Sequence, residues 1–570
     1  MPVEKGLSIA AIVIAIIAII IAGIAIGYGL KKPSVVTSVT TVVKHYTTTI
    51  VKSVAPVTVT KTATVAVTKT ATTTVAVTKT KTATVAVTKT KTVVAKPIVI
   101  TIEYGEPWKM LVQNGIKIFE QKAAALGYHV IVKQIMIPYG VNIMHRIVSD
   151  LAAGTAGDVI IYDSFMAPSL ATAGYLYPLD QFVKNWPDWK YYPEPMKKIV
   201  TWFGHVWGIM VDTDVRMLWY RKDIFRMCGI PVPWQPKNWA QIIETALKLK
   251  ACAPKIEKAL GISEFYPLYF PAGTKWGEAT TMQGFYMLLL GAAPAPYNRL
   301  YDYKTHKWIC KSTALYRSFW FYVVTYDKYK LEPVSYNFVA DVWGTMRKVF
   351  SEGKVAILIG GSWEWGEGWG PQGIAPLKPC LKACGCTTGK CTTPSQIACY
   401  TKCEAKYIGW AIMPGWSGGA HGERKWVTIS GGWAIGINAK LKNNPTKLKL
   451  AWLLIESIAS RDNEAKFCAR YGKPCPRSDC SQVPVYAANS YLKNISILLK
   501  FTDFRDAMPG YPKVSYVIQE VTGKIAKGEI TSAMQALEEY CNLLKRAVGA
   551  SNVESLPVKT TVPTITPPSG

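Results

Sequence analysis

The pattern of apolar and polar positions divides the chain into three textures. From Leu7 to Leu30 it is apolar and uncharged. At about 1.5 Å per residue, a helix of that length crosses the roughly 30 Å hydrocarbon layer of a membrane. The run passes straight into Lys31 and Lys32 without a small-residue cleavage site, so a retained anchor is expected rather than a removed secretory signal. Val35 to Lys96 then alternates Val with Thr or Lys, and the block Thr-Val-Ala-Val-Thr-Lys-Thr recurs at 64–70, 74–80 and 84–90. A period of two suits a strand, but without turns or aromatic anchors it has nothing to pack against. Residues 31–97 therefore read as an extended linker reaching up to about 200 Å.

At Ile98 the pattern changes to that of a folded body. A strand is expected over Ile98–Glu103, a helix over Val112–Leu126, a strand over His129–Ile137, a helix over Ile143–Ala153 and a strand over Asp158–Asp163. Strands alternating with helices imply an α/β fold with a parallel sheet, in which ligands bind at the carboxyl ends of strands; Asp163 lies at one. Further on, Leu448–Ser460 has the period of an amphipathic helix, and the Thr- and Pro-rich end, 547–570, reads as disordered.

Composition supports this division. Apolar residues make up 49% of the 570 and charged residues 18%, enough for a real core. The net charge of +29 suggests a polyanionic partner, but residues 31–96 alone hold eleven Lys and no acid. That placement argues against nucleic acid and for attraction to acidic lipid or an acidic cell coat. Cys380, Cys384, Cys386, Cys391, Cys399 and Cys403 form a run without paired C-x2-C spacing or a nearby His, so disulfides are expected in place of zinc. Six cysteines allow about 15 connectivities, which the sequence leaves open.

Several motifs carry less. Gly360–Gly370 is Gly-rich, but it lacks Gly-Lys-Ser/Thr and its two Glu would repel phosphate. The six His are scattered, so neither a metal site nor a cofactor is expected. Glu364 and Glu367 are a carboxylate pair of the kind used in glycoside hydrolysis, though nothing fixes their separation. Asn494-Ile-Ser496 is an N-glycosylation sequon.

Two resemblances sharpen the reading. Lys5-Gly6-Leu7-Ser8 resembles the class III, pilin-like signal peptides of archaea, which implies processing between Gly6 and Leu7 with the apolar helix retained; Ala11 stands where many pilins carry Glu. In order along the chain come Val206–Phe225 with Pro236–Ala240, Phe350–Glu364, Ile412–Gly415 with Ser430–Asn438, and Asn444-Pro followed by the helix ending in Ser-Arg-Asp-Asn-Glu-Ala-Lys-Phe467. The series is similar to the family 1 extracellular solute-binding proteins of ABC importers, the group that includes maltose-binding proteins. The resemblance covers roughly 98–546. It implies a two-lobed, type II periplasmic-binding-protein-like fold with a hinge. Lobe 1 would be about 98–213 and 434–484, lobe 2 about 214–433 and 485–546, with the Cys-rich stretch 371–405 inserted in lobe 2.

A sugar presents hydroxyl edges and weakly apolar C–H faces, so its site needs carboxylates, Arg or Asn beside flat aromatic rings. The resemblance places Asp163, Asp214, Arg216, Trp276, Trp363, Glu364 and Trp433 there, and Trp108 is added on its chemistry. With 20 Trp in the chain, a core anchor is the ordinary alternative for each, and a salt bridge is the alternative for Asp214 with Arg216. Trp363 and Trp433 stand out because each follows Gly-Gly at a sharp turn. The implied protein is a non-enzymatic, membrane-anchored extracellular receptor for a sugar or oligosaccharide, with ABC permease subunits as partners. A pilin-like structural assembly through its anchor helices and a surface glycosidase are the alternatives.

Overall fold

The structure, a computed structural model, describes residues 96–567 apart from Gly140. The leader 1–6, the anchor helix 7–30, the processing site Gly6–Leu7 and nearly all of the linker 31–97 lie outside the described residues. Among the described residues, no helix is long and apolar enough to cross a membrane.

Strand β1 (Ile98–Gly105) turns Ile100, Ile102 and Tyr104 into the core. Parallel to it, β2 (Val130–Ile137) leaves Ile131 and Lys133 in solvent, as an edge strand does. On the other side β3 (Val159–Asp163) is buried except at Asp163 and also runs parallel to β1. Helices α1 (Lys109–Ala125) and α2 (Ile143–Ala152) make the crossovers, the Asn142 side chain capping α2 by accepting from the His145 N–H. This is the β-α-β-α-β order expected for 98–163. Helix α1 begins earlier than Val112 because Pro107 opens a single turn, Glu106–Trp108, that leads into it.

After the short strands β4 (Leu176–Tyr177) and β5 (Ile209–Met210), the chain crosses to a second sheet. It consists of β6 (Arg216–Arg221), β7 (Tyr266–Tyr269), β8 (Val355–Gly361) and β9 (Ile408–Ala411), in the order β9-β6-β8-β7. Central β8 is buried along its whole length, which explains its unbroken apolar run. The return strand β10 (Trp433–Asn438) completes the first sheet in the order β2-β1-β3-β10-β4, with β5 also paired to β10. It enters at the end where β3 finishes, setting Trp433 opposite Asp163, and so runs antiparallel to β3. The first sheet is therefore mixed rather than parallel throughout.

Helices α3 (Pro445–Ile458) and α4 (Arg461–Tyr471) then cover the first sheet, α3 against α1. They meet tightly at Gly115, where an added Cβ would lie 2.4 Å from Ile458 Cγ1 and 2.7 Å from its Cα.

The Cys-rich run forms two helices, Lys378–Ala383 and Pro394–Glu404, tied by Cys380–Cys403 and Cys384–Cys399, with Cys386–Cys391 closing the loop between them. Three bridges outside the run were not expected: Cys228–Cys252, Cys310–Cys541 and Cys475–Cys480; buried Cys468 keeps its thiol. The disordered tail needs correction. Val553–Ser555 pairs in parallel with Lys307–Lys311, and beyond it Lys559 N–H donates to Thr313 Oγ1 and Thr566 N–H to Glu244 Oε1. Its valine and its backbone donors find partners on a preformed surface that local composition does not reveal.

Because Ile458 presents backbone as well as side chain to Gly115, Gly115→Ala should lower unfolding free energy by about 1–3 kcal/mol in urea titration. Unchanged stability would mean that the two helices are not in this contact.

Candidate ligand-binding site

Three segments run between the two sheets: Asp212–Val215, Ser430–Gly432 and the stretch following Tyr471. One carboxylate holds them together. Asp212 is 1% exposed; its Oδ1 accepts from Trp433 N–H at 2.8 Å, and its Oδ2 accepts from Lys473 Nζ at 2.6 Å and Trp108 Nε1 at 3.0 Å. Thr213 Oγ1 donates to the Gly431 carbonyl and Thr213 N–H to that of Pro474, binding the same three segments again. At Gly432 φ is +122°, and a Cβ there would lie 2.3 Å from the Asp212 carbonyl oxygen, so only glycine brings the second segment this close. Burial pushes the Asp212 carboxyl up, with Lys473 opposing it.

Around this node stand aromatic rings and charges from the strand ends of both sheets. On the first-sheet side Trp433 is half-buried, its ring 4.0 Å from that of Trp108, and buried Trp108 backs it while Lys473 Nζ lies 5.0 Å from the Trp108 ring centre. On the second-sheet side half-buried Trp363 lies against the Arg216 guanidinium, 4.9 Å from the ring centre. Arg216 pairs with Asp214, whose Oδ1 also accepts from Gly431 N–H. The buried Arg216 Nε has no hydrogen-bond acceptor among the described residues. Burial lowers the Arg216 pKa, Asp214 opposing it.

A second ionic group links the end of β3 to residues far along the chain. Arg505 donates to Asp163 Oδ1 at 2.7 Å and to Glu278 Oε1 at 3.1 Å, and its guanidinium lies 4.3 Å from the Phe165 ring centre. Tyr511 and Ser515 hydroxyls also donate to Glu278, each at 2.6 Å. Burial raises the Asp163 carboxyl to about 6, with Arg505 opposing.

The expected residues thus converge on one junction, in different roles. Trp363 and Trp433 offer accessible ring surface, and Asp163 is partly accessible. Asp214 is committed to Arg216, the structural reading allowed above. Trp276 is buried between Tyr269 and half-buried Trp343, its Nε1 donating to Asn337 Oδ1 at 2.9 Å, so it forms the wall behind Trp343. Glu364 is fully buried and accepts from Arg347 Nε at 2.7 Å, while Glu367 accepts from the same guanidinium at 2.8 Å. Sharing this one cation, the pair orients Arg347 beneath Trp343, the guanidinium 5.4 Å from that ring centre. Asn494 lies away from these contacts, exposed on the short helix Ser490–Ile495.

Asp212, Lys473, Glu278, Arg505 and Trp343 were not anticipated. Asp212 and Glu278 had a signal, each two residues from a chosen one; Arg505 had none, because tertiary folding alone brings it to Asp163. Glu464, Cys475 and Cys480 also gather close enough to suggest metal ligands, but the two sulfurs are bonded to each other.

Asp212→Asn strands the buried Lys473 cation and should cost about 3–5 kcal/mol in stability, measured by urea unfolding; a cost below 1 kcal/mol would contradict this node. For Asp163 the folded pKa lies above the unfolded one, so burial outweighs the Arg505 pairing. Its contribution to stability is full below the ordinary carboxylate range and is lost as pH rises through about 6. Asp163→Asn abolishes that dependence: wild type should gain up to about 3 kcal/mol relative to the variant between pH 7 and pH 4, and parallel curves would refute the shift.

Comparison with known proteins follows the same architecture. Residues 101–379 match the family of bacterial extracellular solute-binding proteins. Binding proteins of Brucella abortus (strain 2308) and Brucella suis biovar 1 (strain 1330) are 26% identical over 116 residues, which is 20% of this chain; the chain spans only 27% of their length. Among solved structures, an ABC transporter solute-binding protein of Thermotoga lettingae bound to α-D-tagatose is 23% identical, with a TM-score of 0.58 over 78% of this chain and 100% of its own. A maltose-bound protein of T. maritima, 19% identical, gives 0.59 over 79% and 99%, and a Listeria monocytogenes substrate-binding protein in complex with cycloalternan, 13% identical, gives 0.60 over 80% and 100%. The matched family and these neighbours are binding proteins, not enzymes, and this chain has the mixed α/β fold of two-lobed solute-binding proteins.

Proposed function

We propose that the protein is a cell-surface receptor that captures a carbohydrate between its two sheets and delivers it to the permease of an ABC importer. The observation that carries this reading is the pair of half-buried rings, Trp363 just after β8 of the second sheet and Trp433 opening β10 of the first, each set beside charged groups. Such rings stack on the C–H face of a sugar, while Asp163, Glu278 and the unspent Arg216 N–H are suited to hydroxyl edges. The likeness to structures holding tagatose, maltose and cycloalternan supports the same ligand class. In this reading the segment 7–30 fixes the receptor to the membrane and the 31–97 linker gives it reach, with the anchors available for self-association.

Calorimetric titration of the full chain with mono- and oligosaccharides should find a sugar that binds. Trp363→Ala and Trp433→Ala should each weaken that sugar about tenfold or more, with the fold retained. Failure of every sugar in a broad panel, or binding indifferent to both substitutions, would overturn the proposal.

A further inference from the structure

Away from the sheet junction lies a crevice of about 400 Å³. One wall is Phe203, at the tip of the hairpin formed by Thr201–Trp202 and His205–Val206; the other is built from Tyr301, Trp308, Lys513 and the Met508–Gly510 turn. His306 and Asn552 stand at its edge. Phe203 is 57% exposed and sits in the left-handed region, with φ +53°, so the backbone accepts strain that holds a large ring in solvent over the crevice. Neither the junction nor the resemblance uses any of these residues.

The polar lining is one-sided. Trp308 is 4% exposed, and its Nε1 lies 3.7 Å from where a Gly510 Cβ would be, at the crevice wall; it donates to no described residue. Glycine at 510, with φ +96°, keeps that N–H uncovered. Lys513 is exposed and makes no ion pair among the described residues, and His306 adds an imidazole. No carboxylate lines the crevice. Acids close in sequence to its lining are occupied elsewhere: Asp302 accepts from the Lys304 and Thr305 N–H groups, Glu554 from Thr305 Oγ1, and Asp506 from the Tyr286 and Tyr303 hydroxyls and Leu300 N–H. The Asn552 amide donates to the Val548 carbonyl. What remains is an indole N–H, an ammonium and an imidazole beside three aromatic rings.

We infer that this crevice is a second ligand site, taking a small ring compound that carries a carboxylate: the rings cover its apolar face, while Lys513 and the Trp308 N–H receive the anion. Its volume suits a ligand of one or two rings. A uronic acid and an aromatic acid share this chemistry, and the experiment separates them.

The full chain is titrated calorimetrically with D-galacturonate, neutral D-galactose and benzoate, in wild type, Lys513→Gln, Phe203→Ala and Trp363→Ala. Lys513 and Phe203 are both exposed, so their substitution leaves the core intact. The expected result is heat with galacturonate, with benzoate or with both, little with galactose, a loss of at least tenfold in Lys513→Gln and a smaller loss in Phe203→Ala. Trp363→Ala should leave this binding unchanged, which separates it from capture at the sheet junction. Galacturonate binding alone identifies an acidic sugar, benzoate alone an aromatic acid. Absence of heat with both carboxylates, or binding that survives Lys513→Gln and Phe203→Ala undiminished, overturns the inference.

Discussion

The junction depends on a single buried carboxylate. Asp212 reaches the first crossing from its own backbone, the second through Trp433 N–H and the third through Lys473, and it fixes Trp108 behind Trp433. Burying an unpaired carboxylate is prohibitively unfavourable, so this arrangement is stable only with all partners in place. That requirement couples events far apart in sequence: the salt bridge to Lys473 spans 261 residues. The same carboxylate that ties the crossings together also holds Trp108, whose ring lies 4.0 Å from that of Trp433.

The remaining charges obey a related rule. Arg216, Arg347 and Arg505 are all buried, and each lies against an aromatic face while paired with a carboxylate. Guanidinium suits this role because it is planar, weakly hydrated and able to stack and donate at once. Ring surface and hydrogen-bonding edges are thereby presented together, in fixed geometry. The junction gains shape from its aromatics and orientation from its ions, and neither set would stay in place alone.

How much of this was readable from the sequence follows from range. Strands and helices over 98–163 were legible because local period and turn residues specify them. Trp363 and Trp433 stand out because each follows Gly-Gly at the end of an apolar run, and both rings are in fact half-buried. Glu364, one residue along, was misread as a ligand partner because alternation at a turn cannot say which side chain meets the buried Arg347. Arg505 was invisible: nothing in Phe-Arg-Asp distinguishes it, and only folding brings it across 342 residues to Asp163. The reversal of β10 was hidden for the same reason, since an apolar run gives no direction.

The cysteine-stapled helices show how a segment outside the shared architecture still serves it. Tyr400 accepts from Leu377 N–H and donates to the Trp369 carbonyl, while Glu404 accepts from Trp365 Nε1 at 3.0 Å. Trp365 in turn stacks on Tyr491, 5.0 Å between ring centres, whose hydroxyl donates to the Ser362 carbonyl. The insertion therefore grips both flanks of Trp363. Two nested bridges tie its helices together, holding Glu404 beside Trp365. Six bridges take twelve of the thirteen cysteines in the chain, a usage typical of an oxidising compartment or of a hot intracellular one. These covalent links add rigidity to the segment that packs against both flanks of the turn around Trp363.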